Sequence, residues 1–256
     1  MRKGLILIAV VLMTSFMASA QTVEDIDVSK EANGYFSKEI NGHRIEGTVQ
    51  NGVKVGTWYE IFADKNLINK VVQFEKGVKN GVYLEIDETG ALVKKSEYKN
   101  DELNGATYTW FRGGRLSNKA TYKDNVLDGE QIKCYEQGGT QEIANYKDGK
   151  RDGMTTWFDQ SGNKLMTIEY KGGEFNGKQE TFYKNGELKS SKSYKNNTQD
   201  GAAYEYYDNG ELKTESNYKK GQLSGKVKTY DNKKDKEFKP EKDVKDENAS
   251  KKLKKG

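Results

Sequence analysis

Glycine recurs along this chain on a ruler: Gly56, Gly81, Gly105, Gly129, Gly153, Gly177, Gly201 and Gly225 are spaced 25 residues once and 24 residues thereafter. An aromatic residue keeps the same step, Phe74 first and then Tyr98, Tyr122, Tyr146, Tyr170, Tyr194 and Tyr218. Self-similarity at a fixed period in this range means one small unit copied in tandem, each copy burying its apolar surface on its neighbours. A residue that returns in every copy is therefore scaffold before it is anything else.

Residues 177–200 stand for the unit. A strand-like run from Lys178 to Tyr183 meets the turn Lys184-Asn185-Gly186, and a second run from Leu188 to Lys195 carries Tyr194 near its end. Two runs joined by Asn-Gly read as a β-hairpin. Nine residues after each ruler glycine lies Gly90, Gly114, Gly138, Gly162, Gly186 or Gly210. Twenty residues after it lies Asp101, Asn125, Gly149, Gly173, Asn197 or Gly221. Only residues that tolerate a positive φ occupy the second site. Two turns per unit make two strands per unit, and the units together predict an all-β, elongated antiparallel meander of tandem hairpins. Its array runs over residues 56–230, with 34–55 as a degenerate N-terminal capping unit built on Asn41-Gly42 and Asn51-Gly52.

Alternation assigns the faces. Leu212, Ser216 and Tyr218 share one parity, as do Leu92, Ser96 and Tyr98, and Leu116, Ala120 and Tyr122. The opposite parity, with Lys213, Glu215 and Asn217, reads as a solvated face. Two residues before the tyrosine the side chain is small in four units, Ser96, Ala120, Ala144 and Ser216, which leaves room for a neighbouring ring. Ile168 and Lys192 depart from this, and Lys192 is expected to lay its stem along the apolar face with its ammonium in water.

A mean hydropathy of −0.97 is too polar for a thick two-layer core. Sixteen tyrosines suit a surface that is half wet and half packed. Acids and bases are interspersed and nearly matched, with a net charge of +4, so the clustered basic stripe of a nucleic-acid binder is missing. Cys134 is the one cysteine, which excludes an internal disulfide, and it replaces the bulky residues Ile86, Trp110, Phe158, Phe182 and Tyr206 of other units. It reads as a small buried hydrophobe.

The first 20 residues have the order of a secretory signal peptide: Arg2 and Lys3, an apolar run from Leu5 to Met13, then Ala18-Ser19-Ala20 before Gln21. Cleavage is expected between Ala20 and Gln21, giving an exported chain, periplasmic or extracellular. With Gln21 and not a cysteine at the cleavage site, it would not be a lipoprotein. Residues 21–33 read as a flexible leader to the first strand, and 231–256, a lysine and acid mixture, as a disordered charged tail.

The units 177–201 and 201–225, each a glycine, an aromatic pair, Asn-Gly, a Leu-Lys strand and Tyr-Lys, resemble the MORN-repeat variant of bacterial proteins. The resemblance spans about residues 34–230. Chains of this type are similar to the YwqK family, which implies the antitoxin component of a toxin–antitoxin module. Eukaryotic relatives of the repeat imply attachment to membranes or phosphoinositides and scaffolding within larger proteins. The shared residues are turn glycines and packing tyrosines, so no active residue comes with the resemblance.

Catalysis finds little material. His43 is the sole histidine, too few for a metal site or a catalytic triad, and it reads as a solvated turn residue. Asp87-Glu88 and Asp101-Glu102 fall at turns, and Gly113-Gly114 and Gly138-Gly139 lack the lysine and helix of a phosphate loop. No catalytic, metal or cofactor residue is assigned, and the chain reads as a non-enzyme. Trp58, Trp110 and Trp157 break the tyrosine pattern and are the candidate binding aromatics, either as packing or as a row that grips a partner. The expected function is an exported protein-interaction module, antitoxin- or immunity-like, whose partner is a toxin or an envelope protein. A cell-envelope glycan or a lipid headgroup is the alternative ligand, and nucleic acid is not expected.

Overall fold

The computed structural model describes residues 22–232. The leader 1–20, its cleavage site at Ala20 and Gln21, and all but the first two residues of the charged tail lie outside this range. The chain divides into two compact units: one ends at Gly105 and includes Arg112–Gly114, and the other comprises Ala106–Phe111 and the chain from Arg115 on.

The first unit is an antiparallel meander of β1 (Gly34–Ile40), β2 (His43–Gln50), β3 (Val53–Phe62), β4 (Leu67–Glu75), β5 (Val78–Ile86), β6 (Leu92–Lys99) and the two-residue β7 (Glu102–Leu103). Each strand pairs with the next. The second unit carries β8 (Gly105–Trp110), β9 (Leu116–Lys123), β10 (Val126–Cys134), β11 (Thr140–Lys147), β12 (Lys150–Arg151), β13 (Gly153–Phe158) and β14 (Lys164–Lys171). It continues through β15 (Glu174–Phe182), β16 (Leu188–Lys195), β17 (Thr198–Tyr206), β18 (Leu212–Lys219), β19 (Gln222–Leu223) and β20 (Lys228–Thr229). From β9 on its pairing is again antiparallel and nearly all between chain neighbours. The fold is all-β, made of hairpins.

The turns match the sequence reading closely. Asn196 and Asn197 have φ of 48° and 62°, and Asp124 and Asn125 have 50° and 66°. Two consecutive positive φ values are the mark of a two-residue type I′ hairpin, whose twist suits the flanking strands. The turn residue Asn197 also bonds to β15: its N–H donates to Phe175 O at 3.0 Å, and Phe175 N–H donates to its Oδ1 at 2.8 Å. At the opposite strand ends a second ladder forms, in which Tyr135 Oη donates to Phe158 O and Tyr183 Oη to Tyr206 O, at 2.7 and 2.8 Å.

Several ruler glycines differ from expectation. Gly81, Gly129, Gly177 and Gly201 lie inside their strands at bulges, whereas Gly105 and Gly153 open β8 and β13. Phe175 pairs with Tyr170 and Gln179 with Ile168, so three residues of β15, 176–178, face the single Glu169 of β14. Gly177, at the centre of the bulge, has φ +132°, and on the other side it stands directly opposite Tyr194. Gly81 opposite Tyr98, Gly129 opposite Tyr146 and Gly201 opposite Tyr218 repeat the arrangement. The tyrosine keeps step with the glycine because each faces the other. The residue before the aromatic faces the bulge and serves its backbone: Gln73 Oε1 accepts from Val82 N–H at 2.7 Å, and Glu169 Oε2 from Lys178 N–H at 3.2 Å. This explains the polar run Gln73, Glu97, Thr121, Asn145, Glu169 and Ser193, which alternation alone had placed on a merely solvated face.

Residues 22–33 are not a loose leader. Val23, Ile26 and Val28 are buried and join Phe36, Ile45, Val49, Trp58, Val72, Phe74 and Tyr83 in the hydrophobic core of the first unit. A single sheet whose aromatic face must leave water needs a cover, and this segment provides one. Each such side chain contributes about 1.5–3 kcal/mol. The segment is called the strap below.

Candidate interaction surface

The strap shows how this kind of face holds a peptide. Apolar side chains drop onto Trp58 and Phe74, while two buried polar residues of β3 engage the strap backbone. Lys54 Nζ donates to Val23 O and Glu24 O, both at 2.7 Å, and Glu60 Oε2 accepts from Val23 N–H at 3.0 Å. The Lys54 ammonium also lies 5.0 Å from the Phe74 ring centre. Burial pushes the Lys54 amine down to about 8, against the pull of the Glu24 and Asp25 carboxylates. Lys70 balances the acids, at 3.3 Å from Glu60 and 3.6 Å from Glu24. His43 packs on Phe62, ring centres 5.0 Å apart, with Nε2 3.9 Å from Glu60, so it is a packed strand residue and not a solvated turn histidine. Recognition here is of main chain plus apolar side chains.

The second unit presents the same face differently. Tyr122, Tyr146, Tyr170, Tyr194 and Tyr218 are half-buried, above a line of buried side chains that includes Ala120, Ala144, Thr155, Ile168 and Ala203. Phe175 meets Tyr170 and Tyr194 edge-on at 5.1 and 5.8 Å. Among the described residues, the core cluster that contains the strap is confined to the first unit. The centre of the open face is Arg151. Its guanidinium lies 5.9, 5.4 and 5.4 Å from the ring centres of Tyr146, Trp157 and Tyr170, and it pairs with the buried carboxylate of Glu142. Glu142 also accepts from Trp157 Nε1 at 3.2 Å and stands 3.7 Å from Lys133 Nζ. Arg151 precedes Gly153 by two residues, as Lys54 precedes Gly56 and Lys79 precedes Gly81. Lys79 Nζ likewise lies over a ruler tyrosine, 4.3 Å from the Tyr98 ring centre.

The three tryptophans form no row. Trp58 is fully buried beneath the strap, so it is core and cannot grip a partner. Trp110 is half-buried and stacks on Tyr108 with ring centres 6.0 Å apart. It falls five residues after its glycine, whereas Trp157 falls four after its own, so alternation sends them to opposite faces. Of the three, Trp157 alone lies on the tyrosine face of the second unit. The ruler glycines and tyrosines stand opposite one another across the hairpins. The cations two residues before the ruler glycine are hidden within the repeat, because most units place Leu103, Leu127, Phe175, Gln199 or Leu223 there. That departure from the repeat was the available signal.

The carboxylates of Asp87 and Asp101 are committed to turns. Asp87 Oδ1 accepts from Thr89 N–H at 2.8 Å and Ala91 N–H at 3.1 Å, and with the Thr89 hydroxyl these bonds hold its carboxyl below the usual range. Asp101 Oδ1 takes Lys79 N–H at 2.7 Å. Cys134 is half-buried, and desolvation pushes its thiol up, away from reactive thiolate.

Three stretches, residues 79–100, 175–196 and 199–220, match the family model described as MORN repeat variant. Each begins two residues before a ruler glycine and ends in the next type I′ turn, so the matched unit is the span between consecutive turns of one edge. No curated protein matches the chain. Sequence of the MORN repeat variant is thus present in both units, once in the first and twice in the second.

Proposed function

We propose that this protein is a non-enzymatic interaction module that seats an extended segment of a protein partner on the tyrosine face of its second unit. The observation that carries the reading is the strap: in the first unit the corresponding face already holds an extended apolar segment, by rings beneath its side chains and by Lys54 and Glu60 on its backbone. Arg151 and Glu142 give the second face a cation and an acid among its rings. MORN repeats in general are non-catalytic and mediate protein or membrane-lipid interactions, which agrees with this assignment. The order of residues 2–20 supports export, and with it a partner in the envelope or outside the cell, either a toxin held in an immunity-like complex or an envelope protein.

The test is capture from envelope extract and culture supernatant by the purified protein. A specific protein should be retained by the wild type and released by Tyr170→Ala combined with Trp157→Ala, while Lys178→Ala, on the opposite face, keeps it. Failure to retain any protein would sink the proposal. Retention on cell-wall polysaccharide or on lipid vesicles in its place would move the face to the glycan or headgroup alternative.

A further inference from the structure

The position of Lys192 is buried in most units: Ser96, Ala120 and Ala144 occupy it at 0% exposure and Ile168 at 4%, while Ser216 is half-buried. A lysine there has to bring its ammonium out of a buried column, and the register pairs it with Gln179 on one side and Ala203 on the other. It emerges beside a hollow of about 160 Å³ that two further lysines, Lys189 and Lys213, also line, together with Tyr183, Tyr206 and Glu205. Lys189 and Lys213 are the same residue of successive units. Each is the extra residue of a bulge, left out of the pairing of Phe182 with Leu188 and of Tyr206 with Leu212. Each ammonium lies over a tyrosine six residues earlier, 5.6 Å from the Tyr183 centre and 5.7 Å from the Tyr207 centre. Those tyrosines are themselves fixed, since their hydroxyls donate to Tyr206 O at 2.8 Å and Tyr230 O at 2.9 Å.

The charge is left unbalanced. None of the three lysines has a carboxylate within 4.0 Å among the described residues, although Glu205 lines the same hollow. The nearby acids of the opposite parity are engaged elsewhere: Glu180 receives Ser191 Oγ, and Glu215 receives Lys228 and Tyr230. Other units carry Val93, Ser117, Gln141 or Leu165 at the bulge position and none has lysine at both places, so this cationic cluster belongs to the end of the second unit and not to the repeat. Three ammonium groups without an arginine fork act as point charges, which suits a tetrahedral oxyanion better than a planar carboxylate.

We propose that this hollow is a binding site for a phosphate or sulfate group, contacted by Lys189, Lys192 and Lys213. The site stands independently of the protein-docking reading. Inorganic phosphate and sulfate would be titrated into the full chain at low salt, read by NMR of the lysine side chains. Saturable shifts are expected at these three residues. Lys192→Met, which keeps the stem, should weaken binding about tenfold, the equivalent of one hydrogen bond to a charged group. The double variant Lys189→Met with Lys213→Met, altered only at exposed positions, should weaken it as well, and Lys178→Met should leave it unchanged. Shifts that do not saturate, or that survive in both variants while the fold is intact, mean an adventitious ion only and overturn the proposal. Vesicles bearing phosphomonoester headgroups give the second arm: Lys192-dependent flotation assigns the phosphate to a lipid. Binding of free phosphate without flotation assigns it to a soluble ligand.

Discussion

Replacing Gly177 by alanine tests the bulge that sets the whole ruler. A side chain at φ +132° lies where L-residues seldom go, at a cost of about 1–3 kcal/mol. The added methyl would also stand 2.7 Å from Glu169 Cβ and collide with the Glu169 carboxylate. The carboxylate can swing aside only by leaving Lys178 N–H, a hydrogen bond to a charged group worth about 1.5–3 kcal/mol. Gly177→Ala should therefore cost roughly 2.5–6 kcal/mol in all. Gly186 supplies the control: its φ is +88°, nothing lies within 4 Å of a built Cβ, and Gly186→Ala should cost only about 1–2 kcal/mol. Urea unfolding followed by circular dichroism reads both, with equal slopes required before midpoints are compared. Adding Glu169→Ala to Gly177→Ala should relieve only the clash with the carboxylate, leaving the Cβ contact, the lost Lys178 hydrogen bond and the backbone cost. If Gly186→Ala proved as costly as Gly177→Ala, the ruler glycine would be a turn glycine after all, and the bulge account would be wrong.

Three further outcomes follow from particular contacts. Val23→Asp puts a charge into the core under the strap, so the strap should lift. In a Trp110→Phe, Trp157→Phe background the Trp58 emission should then move to the red, and an unmoved emission would mean that the strap does not cover Trp58. Tyr183→Phe removes the hydroxyl bonded to Tyr206 O and should lower stability by about 1 kcal/mol in the same urea assay. Asp159 holds its turn through the Asn163 side chain and the Asn163 and Ser161 amides, which hold its carboxyl below the usual carboxylate range. A depressed carboxylate stabilises above its unfolded pKa and loses that effect as pH falls through the folded value. The advantage of the wild type over Asp159→Ala in thermal unfolding should thus be present at neutral pH and shrink below about pH 4; an advantage constant across that range would contradict the turn assignment.

The hairpin architecture was legible because turns obey local rules. Asp101, Asn125 and Asn197 occupy positions that need positive φ, and the residue types say so without knowledge of any neighbour. The bulge was not legible, since opposing Gly177 to Tyr194 is a matter of register between strands, which no single strand encodes. The strap was missed for a related reason: Val23, Ile26 and Val28 lie in a polar stretch with neither helical nor strand period, and their burial depends on a distant sheet. The tryptophans misled because large aromatics look alike in a core and at an interface. Trp58 lies beneath a cover that the sequence did not announce, whereas Trp157 shares its face with Arg151. Lys192 stands out in the sequence as an exception, but the cluster it joins depends on bulges that place Lys189 of its own strand and Lys213 of β18 beside it.

The most direct test of the docking claim is site-specific photo-crosslinking in the envelope fraction. A benzophenone amino acid would be placed in turn at Tyr146, Tyr170 and Tyr194 on the open face, and at Lys178 and Asn217 on the opposite one. Adducts to the same protein from the three tyrosine positions, and none from the other two, are the predicted result. Adducts from Lys178 and Asn217 alone, or equally from both faces, would contradict it.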